Sequence, residues 1–86
     1  MAGKKNSKEK AGSLDEPQEF IEKISSKIRM MREATGMSQE KFAYQSGIDR
    51  TQWQNIETGV DMRISTLYRA IKALGLSPAE FFKDFK

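Results

Sequence analysis

Between Asp49 and Gly59 the sequence DRTQWQNIETG sets hydrogen-bonding side chains at helical spacing, with acid confined to Asp49 and Glu57. At about 100° per residue, Thr51, Gln54, Asn55 and Thr58 share one side of a helix, while Trp53, Ile56 and Glu57 share the other. Hydroxyls and carboxamides on a short outer face both donate and accept, which is the chemistry that suits the edges of bases. Other chemistries find no residues. The chain has no histidine and no cysteine, and it shows neither a glycine-rich phosphate loop nor clustered carboxylates. General acid–base, thiolate or metal catalysis therefore has no evident machinery, and neither cofactor nor metal is expected.

Such a face needs a helix that starts and stops in register. Asp49 is a good N-cap, and Gln52 stands where a capping box wants Glu or Gln. Gly59 follows the last periodic residue as a C-terminal stop. Ser38 gives the same start signal to a preceding helix, with Gln39 and Glu40 in its first turn. Phe42 and Ala43 lie one turn further on. Small Ala43 lets two helices cross closely, Gly47 can take the positive φ that ends the first, and Ile48 packs under the turn. Two short helices joined by a glycine turn have the layout of a DNA-reading helix-turn-helix.

The remaining chain supplies three more helices and no strand. Asp15 can cap a first helix, with Pro17 in its first turn and Gln18 at the capping-box position. It is expected to run to about Thr35, turning Phe20, Ile24, Ile28 and Met31 inward and ending at Gly36. A fourth helix is expected from about Ser65 to Leu74, burying Leu67, Ala70, Ile71 and Leu74 ahead of Gly75. Ser77-Pro78-Ala79-Glu80 then opens a short fifth helix through a capping box with Pro at its first position. The fold class is thus all-α, a compact five-helix domain over residues 15–86 with the helix-turn-helix at helices 2 and 3. Residues 1–14 read as a flexible basic tail. Its Lys4, Lys5, Lys8 and Lys10 fit a solubilising segment better than a specific phosphate contact.

Composition agrees with one small domain: 86 residues and a net charge of +3. The missing cysteines fit a reducing cytoplasm, the expected location. No apolar run approaches the roughly 20 residues that span a bilayer, so no membrane partner is expected, and MAGKKNSKEK lacks the hydrophobic stretch of a signal peptide. So mild a positive charge is weak support for a polyanion partner, and its distribution must carry that argument.

Residues from about Ile24 to Phe82, roughly two-thirds of the chain, resemble the lambda-repressor-like (Cro/C1, XRE-type) helix-turn-helix domains of bacteria and phages. The resemblance rests on IRMMREATGMSQEKFA, GIDRTQWQNIETG and STLYRAIKALGLSPAEFF, in that order and with unbroken spacing. It implies that the second helix of the motif lies in the major groove with its N-terminal half on the bases. The matching base readers are Arg50, Thr51 and Asn55, with Gln54 a weaker candidate. Arg50 can pair with guanine O6 and N7, Asn55 with adenine N6 and N7, and the Thr51 methyl with a thymine methyl. Phosphate contacts are expected from Gln39 at its helix start, Gln52, Thr58 and Arg63. Arg32 and Glu57 match positions that form an ion pair between the first helix and the recognition helix, a structural role. One departure is the loop after Gly59, where Val60, Asp61 and Met62 leave only Arg63 as a base. A weaker backbone grip and a smaller salt dependence are expected from it.

Trp53 could suggest base stacking, but three residues before Ile56 it occupies a core position. Phe81, Phe82 and Phe85 crowd the last six residues. One or two complete the core, and Phe82 and Phe85 are candidates for a two-fold dimer contact, with Phe85 folding back onto the first helix as the even alternative. Three function classes compete. The first is a sequence-specific double-stranded DNA-binding regulator, a repressor on a two-fold operator, acting as a homodimer. The second is an antitoxin-like or accessory protein of the same fold whose main partner is another protein. The third, an enzyme, has no residues to support it.

Overall fold

The structure, a computed structural model, describes residues 16–85; the Asp15 cap and the basic tail lie outside them. Five helices follow one another: α1 Glu16–Ala34, α2 Gln39–Ser46, α3 Arg50–Glu57, α4 Ile64–Ala73 and α5 Pro78–Phe82. No strand occurs among the described residues.

Local signals set most of these boundaries. The Ser38 hydroxyl accepts from the Lys41 N–H at 3.1 Å and opens α2. Gly47 closes it with φ 71°, a left-handed conformation that costs a residue with a Cβ far more. Asp49 then opens α3 by accepting from the N–H groups of Thr51 at 3.0 Å and Gln52 at 3.2 Å. The expected reciprocal half of that box does not form. The Gln52 side chain reaches across to the Thr66 hydroxyl at 3.4 Å instead, tying α3 to α4. Ser77 and Glu80 form both halves of theirs, with Pro78 in the first turn. α4 begins one residue ahead of expectation, at Ile64, with Arg63 as its N-cap and no side-chain cap bond.

The core comprises Ile24 and Ile28 of α1, Phe42 and Ala43 of α2, Ile48 of the turn, and Trp53 and Ile56 of α3. Ala70 and Ile71 of α4 and Phe81 of α5 complete it. Trp53 is wholly buried and packs on Phe42 at 5.0 Å between ring centroids, so the indole is a core residue.

Phe20 departs from expectation. It is 49% exposed rather than inward-facing. The 19-residue α1 is about 28 Å long at 1.5 Å per residue, and its first turns overhang the core that the short α2 and α3 build. There Phe20 stacks on Phe82 at 6.3 Å and meets the Phe85 ring edge-on at 6.0 Å. Phe82 and Phe85 are half-buried in this cluster. Lys27 of α1 fastens the same end of the chain. Its ammonium donates to the Phe81 carbonyl and to Asp84 at 2.9 Å, and it lies 4.8 Å from the Phe81 ring centre. That bond holds the Asp84 carboxyl below its ordinary range.

Candidate nucleic-acid interface

The orientation of α3 depends on one buried carboxylate. Glu57, in its last turn, is only 2% exposed, and a bare charge there would be prohibitively costly. Four donors meet it. Arg32 of α1 donates through Nε at 2.6 Å and Nη2 at 3.1 Å, Gln39 of α2 through Nε2 at 2.9 Å, and Trp53 through its indole N–H at 2.5 Å. Burial pushes the Glu57 pKa up, but the bonds from Arg32, Gln39 and Trp53 outweigh it, so the carboxyl titrates below its ordinary value. The bond to Glu57 likewise raises Arg32. Arg32 also donates through Nη1 to the Met37 carbonyl at 2.7 Å, reaching the turn before α2. One carboxylate therefore fixes α1, α2 and α3 to one another.

The turn after α3 is clamped as well. The Gly59 N–H donates to Ser25 Oγ at 3.1 Å, and Gln18 donates to the Gly59 carbonyl at 3.0 Å. Gly59 has φ 82°, and a Cβ on it would stand 3.3 Å from Glu22 Cγ, so both conformation and space favour glycine.

With its inner face so occupied, α3 turns the opposite side to solvent. Arg50, Thr51, Gln54 and Asn55, the expected base readers, are all exposed on it. The expected phosphate contacts divide. Thr58 and Arg63 are exposed, at the C-cap of α3 and the N-cap of α4. Gln52 is exposed but bonded to Thr66. Gln39 is half-buried with its amide on Glu57, so α2 offers a phosphate chiefly the backbone N–H groups of its first turn. A shallow groove beside α3 is lined by Gln52, Asn55, Val60, Asp61, Arg63 and Thr66, which joins the α3 face to the following loop and the start of α4.

The shares of Gln39 and Trp53 in the Glu57 site are what sequence reasoning missed. The i, i+4 spacing of Trp53 and Glu57 was a readable signal, since those positions meet on a helix. The Gln39 bond depends on how α2 crosses α3, and no local pattern reveals it. Among the described residues no cluster of Asp, Glu, His or Cys could hold a metal ion. No helix among them is long and apolar enough to cross a membrane.

Residues 24–81 match the family described as helix-turn-helix domain. The control protein C.MunI of a Mycoplasma species is 33% identical over 66 residues, covering 74% of this chain and 89% of that one. No solved structure matches.

Proposed function

The chain belongs to the helix-turn-helix domain family, of the XRE type, a non-catalytic family of DNA-binding regulators, and from that premise we propose that it is a cytoplasmic repressor. In this reading α3 lies in the major groove of a two-fold operator, and a homodimer occupies the site. Arg50, Thr51 and Asn55 read base edges, with Gln54 beside them, and the first turn of α2, Gln52, Thr58 and Arg63 hold the backbone. The observation that carries the proposal is the asymmetry of α3: its inner polar groups are bonded within the fold, and its outer ones face solvent. Polar side chains exposed on a rigidly held helix are pre-organised for recognition, because little further ordering is needed on binding. The control-protein name of the relative agrees with a regulatory role.

The test is selection from a randomised duplex pool, with wild type beside Asn55→Ala. A two-fold motif that is enriched by wild type and relaxed in the variant is expected. No enrichment at low salt would overturn the DNA reading in favour of a protein partner.

A further inference from the structure

The acid at the head of α3 is only half used by the fold. Asp49 Oδ2 accepts from the N–H groups of Thr51 at 3.0 Å and Gln52 at 3.2 Å, while Oδ1 accepts no bond among the described residues. The ion pairs among those residues, Lys27 with Asp84 and Arg32 with Glu33 and Glu57, do not include it either. Capping alone does not require the second oxygen, since α2 and α5 are capped by the single hydroxyls of Ser38 and Ser77. Asp49 is exposed, yet its backbone is held on both sides. The Ile48 N–H donates to the Ala43 carbonyl at 3.0 Å, and the Asp49 carbonyl accepts from the Trp53 N–H at 2.8 Å. With the main chain fixed and Oδ2 tied to the helix start, the free oxygen has a set position.

We propose that Asp49 is a further specificity-determining residue, whose free Oδ1 accepts from the exocyclic amino group of one base, cytosine N4 or adenine N6. The inference rests on the DNA-binding reading, in which the N-terminal end of α3 meets base edges in the major groove. A carboxylate is an acceptor only. Opposite an amino group it is paired. Opposite guanine O6 and N7, or thymine O4, it sets acceptor against acceptor and leaves both without a partner. Base pairs present their amino group at different places across the groove, so an oxygen in a set position tells them apart. Arg50, the next residue, has only donors, so the two read groups of opposite kind. The carboxylate also repels phosphates, and it therefore acts on discrimination, by rejecting wrong partners, more than on affinity. It cannot turn away from a wrong base without giving up both cap bonds.

The test compares the full chain with Asp49→Ser and Asp49→Asn, both of which keep a good N-cap, as thermal melts should verify. In selection from a randomised duplex pool, Asp49→Ser is expected to return the wild-type motif relaxed at one base pair. In Asp49→Asn the side-chain oxygen caps the helix and its amide N–H2 replaces the free oxygen, so preference at that pair should move to one presenting an acceptor there. On the wild-type duplex, the amino-bearing base of that pair is then replaced by its analogue without the amino group, 2-pyrimidinone for cytosine or purine for adenine. Wild type should lose about tenfold in affinity, the scale of one mismatched pair. Asp49→Ser should lose little, which couples the residue to the amino group. Neither variant should bind a scrambled duplex more weakly than wild type, because a charge that repels phosphates has gone. A motif that both variants select unchanged, a wild type indifferent to the analogue, or an equal loss in wild type and Asp49→Ser overturns this inference and leaves the DNA reading standing. A wild type that selects no motif overturns both.

Discussion

The two faces of α3 treat their polar groups in opposite ways. On the inner face, Glu57 and the Trp53 indole are buried and bonded, with Arg32 and Gln39 completing the set. On the outer face, Arg50, Thr51, Gln54 and Asn55 stand exposed. The inner set lies in low dielectric, where each donor missing from a carboxylate is costly. The outer set is solvated, and its removal leaves nothing buried and unpaired. Stability should therefore depend on the inner face and recognition on the outer one, though the two are separated by only one helix diameter.

The largest effect should come from Glu57→Ala. It strands Arg32 and leaves the Trp53 and Gln39 donors without their acceptor, and losing one partner of a buried pair costs about 3–5 kcal/mol. Against a total stability of about 5 kcal/mol or somewhat more, expected for so small a domain, urea denaturation should find the variant close to unfolded. Arg32 keeps its bond to the Met37 carbonyl, which favours the lower end of that range. Glu57→Gln separates charge from shape. Because the folded pKa of Glu57 is depressed, its stabilising contribution is complete above the unfolded value of about 4.3 and is lost as pH falls through the folded value. The gap in melting temperature between wild type and Glu57→Gln should therefore narrow as pH drops below about 4. A constant gap would mean that the carboxylate charge is not what the site stabilises.

Trp53→Phe keeps an aromatic ring in the core and deletes the N–H that Glu57 accepts. About 1–3 kcal/mol of stability should be lost, seen as a lower urea midpoint, with base preference unchanged. Asn55→Ala should do the reverse. Its side chain is exposed, and the Thr58 hydroxyl bonds only its backbone carbonyl, so stability should stay within about 0.5 kcal/mol of wild type. DNA binding should fall by about 1–3 kcal/mol at the preferred site, measured by titration of a labelled duplex, with preference relaxed at one base pair. If Trp53→Phe altered base preference, or Asn55→Ala unfolded the chain, the division between the faces would fail.

Much of this was legible because it is local. Ser38, Asp49 and Ser77 mark helix starts through bonds within three residues of themselves, and Gly47 marks a stop through its own φ. The pattern of α3 separated Trp53, Ile56 and Glu57 from the outer residues without reference to any other helix. What needed the fold were contacts between helices. Gln52 looked like half of a capping box, but Thr66 of α4 competes successfully for its amide. Phe20 has the spacing of a core residue, yet periodicity cannot say where the core ends beneath a long helix. Gln39 looked like a phosphate ligand with a free side chain, and the crossing of α2 over α3 brings it to Glu57.

The smallest effect should separate two kinds of outer residue. Arg63 is exposed at the start of α4 and makes no side-chain cap bond, so Arg63→Ala should change stability by no more than about 0.5 kcal/mol. It is the one base in the Val60–Arg63 loop, beside Asp61. If it neutralises a phosphate, its loss should lower the slope of log affinity against log salt by about 0.9. Affinity should then drop by the same factor on the preferred duplex and on a scrambled one. Asn55→Ala should leave the salt slope alone and penalise only the preferred duplex. An Arg63→Ala variant that lost affinity for the preferred duplex alone would move Arg63 from the backbone to a base edge. The recognition surface would then extend past α3 along the groove that Asn55 and Arg63 both line.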